Sequence, residues 1–97
     1  MLNKEQHLYK QITDIAIKHD ADKIILFGSR ARKTNNSKSD IDLAVYGCNN
    51  FQALYFDLNE NVDTLLEFDI IDMNNPYLSD DLIKEIQKDG VVLYEKI

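Results

Sequence analysis

The sequence predicts an α/β domain of the α+β type, in which helices pack on a small mixed β-sheet. Segments with helical spacing of apolar residues alternate along the chain with short β-rich segments, and this alternation is typical of such a layered fold. The chain has 97 residues, a length that fits one domain, so we expect a single domain over residues 1–97. The pattern leaves the order of the strands open.

The first half of the chain contains one predicted main helix and two predicted strands. The helix comes first in the chain. It is predicted because residues of one face recur at helical spacing: Leu8, Ile12, Ile15, Ala16 and His19. The apolar run 23–27 then predicts a buried strand, residues 29–33 a short helical turn, and residues 34–39 a polar loop. Alternating apolar residues over 40–45 predict the second strand, which Gly47 closes.

The second half predicts a helix, a strand, a helix and a final strand. The first of these helices is marked by apolar residues at helical intervals: Phe51, Leu54, Tyr55, Leu58 and Val62. Residues 68–73 are β-rich and predict the third strand. Ser79 is a good N-cap for the last helix, Gly90 ends that helix, and residues 91–94 predict the fourth strand.

The charge balance excludes some classes of function. The net charge is −6, with 17 acidic residues against 11 basic ones, so direct binding of nucleic acid is not expected. A local basic cluster could still hold an anionic substrate: Lys23, Arg30, Arg32, Lys33 and Lys38. The polar first residues and the lack of a long apolar segment predict a cytoplasmic protein without a membrane span. The single cysteine, Cys48, cannot form an internal disulfide.

Two aspartates, Asp40 and Asp42, flank Ile41 in the second predicted strand. Residues i and i+2 of a strand project from the same face, so the two carboxylates should lie side by side. Adjacent carboxylates repel each other unless a cation or a proton lies between them, and Mg²⁺ prefers oxygen ligands of this kind. Taken alone, such a pair is more typical of solvated side chains at a strand edge. The motif that precedes it makes it specific.

That motif begins where the first predicted strand ends, at Gly28 and Ser29. A glycine lets a ligand approach the backbone closely, the amides that follow can point at a phosphate, and the serine hydroxyl can donate to it. Arg30 and Arg32 add guanidinium groups suited to phosphate. The alternative is a plain strand-to-helix turn with solvated surface arginines, and this motif alone does not decide between the two.

A third aspartate, Asp69, stands between Phe68 and Ile70 in the third predicted strand. An aspartate buried within an apolar strand is costly unless it has a partner. We therefore expect Asp69 to be a third metal ligand, or a base beside the pair. The alternative is a capping or turn role at the strand edge, which suits Asp72 better than Asp69.

Together, the run Gly-Ser-Arg-Ala-Arg at residues 28–32, the Asp-Ile-Asp at 40–42 and the later Asp69 closely resemble the signature of the DNA polymerase β-like nucleotidyltransferase superfamily. The nearest resemblance is to its minimal nucleotidyltransferase (MNT) group, which includes the antitoxin half of HEPN/MNT toxin–antitoxin pairs. The resemblance spans essentially the whole chain. One departure is Lys33, which stands where the family often has glycine.

The resemblance implies a palm-like fold and the transfer of a nucleoside monophosphate, here AMP from ATP, to an acceptor hydroxyl. It assigns nucleotide binding to one set of residues: Gly28, Ser29, Arg30 and Arg32. It assigns metal binding, with two Mg²⁺ ions, and catalysis to another set: Asp40, Asp42 and Asp69. Asp69 would also receive or steer the proton of the acceptor.

The acceptor itself is left open by the residues. A chain of this length has no room for an acceptor-binding domain, so we expect the acceptor on a separate molecule. The resemblance favours a tyrosine of a HEPN-type toxin, held in a hetero-oligomer. Three alternatives remain: transfer to a small hydroxylated molecule such as an aminoglycoside, self-modification at the nearby Tyr46, and a non-catalytic antitoxin that neutralises its partner by stoichiometric binding.

Overall fold

The computed structural model describes residues 2–97, so Met1, with which the predicted domain begins, lies outside the described residues. Helices and strands follow one another in the predicted order. In chain order they are α1 (Lys4–Lys18), β1 (Lys23–Phe27), α2 (Gly28–Arg32), β2 (Ile41–Tyr46), α3 (Phe51–Asn61), β3 (Phe68–Asp72), α4 (Asp80–Asp89) and β4 (Val91–Glu95).

The four strands form one mixed sheet in the order β3-β2-β1-β4. The β1 strand lies antiparallel to both β2 and β4, whereas β2 and β3 are parallel. A parallel pair needs a crossover connection, and α3 supplies it between β2 and β3. The sequence predicted a mixed sheet with helices on it, and both features are confirmed.

The two faces of the sheet carry different helices, as the period-two alternation of β2 requires. Ile41, Leu43 and Val45 belong to the larger core that includes residues of α1 and α3. Ala44, on the opposite face, packs in a smaller cluster with Phe27 and with Ile86 of α4. Side chains at the even positions of β2, among them Asp42, therefore belong to the α4 face.

The ends of the helices follow from their capping residues. Asn3 caps α1 through a capping box with Gln6, and the predicted cap Ser79 accepts a hydrogen bond from the amide of Leu82 at 3.2 Å. The α1 helix ends at Lys18, one residue before His19, which the helical spacing had included. Within residues 2–97 no helix combines the length and the apolar character that crossing a membrane requires.

Candidate active site

The predicted site residues meet at one end of the sheet, where β1 ends and β2 and β3 begin. Phe27 pairs with Asp42 in the antiparallel register, so Gly28 and Ser29 leave β1 directly beside Asp42. On the other side, Asp42 pairs with Asp69 in the parallel register. Neighbouring strands lie about 4.8 Å apart and paired residues share a face. The fold thus brings the glycine motif and the carboxylates together from separate parts of the sequence.

Gly28 adopts a positive φ of 74° and packs against the carboxylate of Asp42. A Cβ atom added at this position would lie 2.1 Å from Oδ2 of Asp42, well inside van der Waals contact. Both the backbone conformation and the space therefore require glycine. The absence of a side chain at residue 28 is what lets this carboxylate sit against the turn that follows β1.

Asp42 is half-buried, and its pKa is raised from 3.8 to about 6. Burial is the largest cause, followed by the negative charges of Asp69, Asp40 and Glu85, while Arg32 acts in the opposite direction. The site therefore concentrates negative charge around one partly desolvated carboxylate. Such a group is stabilised in its ionised form by a nearby cation.

The other two predicted ligands are more open to solvent. Asp40 is exposed and lies just before β2, which begins at Ile41 and not at residue 40 as the alternation predicted. Asp69 is also exposed, on the edge strand β3. The expectation that Asp69 is buried among apolar neighbours was therefore wrong. Its place beside Asp42 comes from the strand register.

The donor set fits a hard divalent cation in its chemistry, since it consists of carboxylate oxygens and includes one whose pKa is raised by burial and by its like-charged neighbours. Within the described part of the chain, no three His, Cys, Asp or Glu side chains are gathered tightly enough to enclose a metal ion. Binding would thus require Asp40 and Asp69 to turn their carboxylates toward Asp42. Their exposure to solvent leaves them free to do so.

The turn after β1 continues as the five-residue helix α2, which begins at Gly28. Phe27 occupies the N-cap position and has no side-chain oxygen with which to cap the first amides. Ser29, half-buried, places its hydroxyl in this first turn. The amides and the hydroxyl are donors of the kind that a phosphate group accepts.

Lys33 ends α2 in the left-handed conformation, with φ 61° and ψ 32°. Glycine adopts this conformation freely, whereas a residue with a Cβ is strained there by about 1 kcal/mol. This geometry gives a physical reason for the family's glycine at the corresponding place. The chain tolerates lysine here without losing the turn, since the Lys33 amide still donates to the carbonyl of Arg30 at 3.3 Å.

The two arginines of the motif lie in different environments. Arg30 is buried, and its Nε and Nη2 atoms donate to the carbonyl oxygen of Ser39 at 3.2 and 3.0 Å. The interpretation of Arg30 as a solvated side chain was therefore wrong. Arg32 is partly exposed, and its Nη1 lies 3.4 Å from Glu85 and 3.7 Å from Asp89, both on α4.

Glu85 is a site residue that the sequence analysis missed. It contributes to the raised pKa of Asp42 and forms an ion pair with Arg32, so it faces the carboxylates from α4. The available signal was its place directly before Ile86, within the apolar stripe of α4. A charged residue next to a buried position on a helix is common, so this signal was weak without the tertiary structure.

Tyr46 lies at the opposite end of β2 from Asp42. Four residues of a strand span about 13 Å, so the Tyr46 ring is remote from the carboxylates of its own chain. A wide groove of about 1180 Å³ is lined by α1 up to Gln11, by residues 60–66, by Arg30, and by Asn35 and Ser37 of the loop before β2. None of the three aspartates lines this groove.

Several solved structures of toxin–antitoxin complexes share the fold of this chain. A toxin–antitoxin structure containing AMP-PNP is 24% identical, with a TM-score of 0.69 over 91% of this chain and 73% of that one. An MntA–HpeT mutant in which two aspartates two positions apart are replaced by glutamate is 22% identical, with a TM-score of 0.69 and 98% and 75% coverage. A second mutant of that complex, with a tyrosine replaced by alanine, is 23% identical, with a TM-score of 0.66 and 99% and 75% coverage.

At these identities the structural likeness establishes the fold. No curated protein is significantly similar to this chain in sequence. The sequence does match the family described as Polymerase beta, Nucleotidyltransferase, over residues 10–97. This match covers nearly all of the chain, including the glycine motif and the three aspartates, and the chain therefore belongs to the polymerase β nucleotidyltransferase family.

Proposed function

We propose that this nucleotidyltransferase transfers AMP from ATP to a tyrosine hydroxyl of a partner HEPN toxin and so acts as its antitoxin. The observation that carries the proposal is the pairing of Asp42 with Asp69 directly beside Gly28, which brings two carboxylates to the turn that would bind phosphate. The structural neighbours support the choice of nucleotide and partner. They are toxin–antitoxin complexes, and one contains AMP-PNP, an analogue of ATP.

In this proposal the turn at the start of α2 holds the triphosphate. The hydroxyl of Ser29 and the first amides of α2 donate to phosphate oxygens, and Gly28 keeps the backbone open to them. Arg32 lies near enough to Asp42 to lower its pKa, so it can add positive charge at the same place. Arg30 already donates to Ser39, which leaves it a smaller part in contacting the nucleotide.

Asp40, Asp42 and Asp69 would hold two Mg²⁺ ions, with water and phosphate as the remaining ligands. When bound, these ions would supply charge that stabilises the attacking and leaving oxygens of an in-line displacement. The carboxylates fix the place of that charge at the end of β1. The acidic side chains that raise the pKa of Asp42 then serve the site by attracting cations.

The transfer step exchanges one bond for another at the α-phosphorus of ATP. The acceptor oxygen forms a bond to the α-phosphorus of ATP, and the bond from that phosphorus to the β-phosphate oxygen breaks, so pyrophosphate leaves. The proton of the acceptor hydroxyl goes to the carboxylate of Asp69, which acts as the general base. Asp69 is exposed on an edge strand, so a hydroxyl carried by a folded partner can reach it.

The proposal is tested by incubating the chain with ATP, Mg²⁺ and the protein encoded beside it, followed by intact-mass measurement of that partner. We expect one added AMP with the natural chain and none with Asp42→Asn. The matched control is Asp14→Asn, which changes an exposed aspartate paired only with Lys10 on the surface of α1 and should leave the transfer intact.

An unmodified partner in the presence of the natural chain would contradict the transfer reaction. Neutralisation of the toxin that persists with Asp42→Asn would instead favour a non-catalytic antitoxin, acting by contact alone. Modification that is equal in both proteins would remove Asp42 from the mechanism.

A further inference from the structure

Arg30 is the most deeply buried basic side chain near the site, with 6% of its side-chain surface exposed. It lies in the motif that marks the nucleotide-binding turn, yet almost all of its side chain is covered by the protein. Its Nε and Nη2 atoms both donate to one acceptor, the carbonyl oxygen of Ser39. Two donors from one rigid guanidinium group fix the direction of that carbonyl more firmly than a single donor would.

Ser39 is joined by its peptide bond to Asp40, one of the proposed metal ligands. Asp40 lies outside β2, so the hydrogen bonds of the sheet do not hold it directly. On its C-terminal side, the amide of Ile41 donates to the carbonyl of Glu67 at 2.9 Å. On its N-terminal side, Arg30 holds the carbonyl of Ser39. The backbone is thus held by hydrogen bonds on both sides of Asp40, and Arg30 donates those on the N-terminal side.

The loop before Asp40 is tied to α2 at its start, where the amide of Thr34 donates to the carbonyl of Ser29 at 2.9 Å, and contacts within the loop hold its end. The amide of Asn36 donates to Oγ of Ser39 at 3.1 Å, and the amide of Ser39 donates to the carbonyl of Asn36 at 3.2 Å. These bonds give the end of the loop a shape, but they do not connect it to the sheet. The connection to the core runs through Arg30, which α2 carries directly after the glycine turn.

We propose that Arg30 is a positioning residue, whose double hydrogen bond to Ser39 sets the distance of the Asp40 carboxylate from Asp42. The inference rests on the proposed metal-dependent transfer, since it assigns a role within the same site. It adds that an arginine of the nucleotide-binding motif acts mainly through the backbone, with contact to the nucleotide as its smaller part. It also explains how the backbone of an exposed residue just outside a strand keeps a defined place from which its carboxylate can turn toward Asp42.

The ion pair of Arg30 with Glu5 of α1 provides a matched control. Nη1 of Arg30 lies 3.7 Å from Oε2 of Glu5, whose side chain is 55% exposed. The variant Glu5→Gln removes this ion pair and leaves both donors to Ser39 in place. The variant Arg30→Gln removes the guanidinium group and with it the double hydrogen bond, whereas Arg30→Lys keeps the charge and one donor group.

The test is the dissociation constant of Mn²⁺, measured by electron paramagnetic resonance without nucleotide or partner, beside the thermal midpoint of each variant. We expect Arg30→Gln to weaken Mn²⁺ binding about tenfold, as the loss of a residue that orients a metal ligand does. Arg30→Lys should weaken it less, and Glu5→Gln should leave it unchanged. If Arg30→Gln does not fold, the Mn²⁺ affinity of Arg30→Lys decides the question in the same way.

Equal Mn²⁺ affinity in the natural chain and in the folded Arg30 variants would overturn the inference, and a lowered thermal midpoint would then show a purely structural role. Failure of the proposed function gives a different result. If the natural chain binds Mn²⁺ no better than Asp42→Asn, the metal site itself is wrong, and the inference falls with it. If Mn²⁺ binds but the partner stays unmodified, the transfer reaction fails while the comparison among Arg30 variants still decides the role of Arg30.

Discussion

Two aspartates of this chain, Asp42 and Asp57, are both withdrawn from solvent but have opposite surroundings. Asp57 of α3 is 5% exposed and lies among donors: Nε2 of His19 at 2.7 Å, Nζ of Lys18 at 3.2 Å and Nδ2 of Asn61. Hydrogen bonds from Asn61 and His19 are the largest causes of its pKa of about 2. Asp42 has a pKa of about 6, because burial and neighbouring negative charges act on it.

The difference fits a structural role for Asp57 and the proposed metal-binding role for Asp42. The charge of Asp57 is matched within the fold, where it joins the C-terminal end of α1 to α3. The charge of Asp42 is not matched by the groups around it, so its ionised form makes the folded state less favourable. Perturbation of this kind is found at functional sites, where a cation or a substrate completes the surroundings.

The largest expected effect comes from exchanging the two groups for asparagine. Asp42→Asn should reduce nucleotide transfer by about a hundred- to a thousandfold, since it removes charge that stabilises the transferred phosphate through the metal. It should not lower the thermal midpoint, because it also relieves repulsion from Asp69 and Asp40. Asp57→Asn should leave the rate of transfer within about twofold and cost about 2 kcal/mol of unfolding free energy, since it weakens hydrogen bonds to a buried charge.

Intact-mass kinetics and thermal unfolding of the same two variants measure this contrast. For a domain of this size, a loss of about 2 kcal/mol lowers the midpoint by roughly 10 °C. A large loss of stability in Asp42→Asn would mean that its carboxylate supports the fold. The separation of the two regions would then not hold.

Two glycines, Gly28 and Gly47, each lie against an aspartate, and only Gly28 lies against one of the candidate site. Both have positive φ, and a Cβ on either would collide with an aspartate, at 2.1 Å from Asp42 and at 2.0 Å from Asp22 respectively. Each alanine variant should cost about 1–2 kcal/mol from the left-handed backbone alone. Only Gly28→Ala displaces a carboxylate of the site, so we expect at least a tenfold loss of transfer there, as positional errors near reacting groups cause.

The two variants are therefore matched in backbone strain and differ in which aspartate they move. The measurement is the rate of AMP transfer at a temperature well below both thermal midpoints. Equal losses of activity in Gly28→Ala and Gly47→Ala would show that strain, and not the displacement of Asp42, is responsible.

Local patterns in the sequence predicted the helices and strands, and the part of the candidate site that lies at Gly28, Ser29, Asp40 and Asp42. The period of two over residues 40–45 and the apolar run ending at Gly28 are local signals, and both strands formed, the second one residue later than predicted. The strand order and the pairing of Asp42 with Asp69 depend on long-range contacts, which the pattern of a single segment does not contain. In the sequence, Asp69 was connected to the pair by the cost of burying an aspartate, a reason that fails because Asp69 is exposed, and by the family resemblance.

The different environments of Arg30 and Arg32 could not be predicted from a local sequence pattern either. Arg30 and Arg32 stand two residues apart in one motif, yet one is buried against Ser39 and the other pairs with α4. Which of them turns inward depends on how α1 and the loop before β2 pack around the five-residue helix. Such packing also gives Lys33 its left-handed conformation, which the sequence signalled only through the family's glycine.

The smallest expected effect is a change in the pH dependence of the unfolding free energy, which arises from the carboxylate of Asp57. Its pKa is lowered from 3.8 in the unfolded chain to about 2 in the folded one. The ionised carboxylate therefore contributes stability that is fully present above about pH 4 and is lost as the pH falls toward 2. The difference in unfolding free energy between the natural chain and Asp57→Asn, measured by urea titration, should shrink as the pH falls from 4 to 2.

Groups that titrate equally in both proteins cancel in this difference, so the remaining pH dependence belongs to Asp57 and its donors. Asp14→Asn is the reference, because the exposed pair of Asp14 with Lys10 should contribute less than about 1 kcal/mol at any pH. A difference for Asp57→Asn that stayed constant down to pH 2 would assign its effect to packing. Asp57 would then stabilise the contact of α1 with α3 by the packing of its side chain and not by its charge. The contrast with Asp42 would not be one of charge.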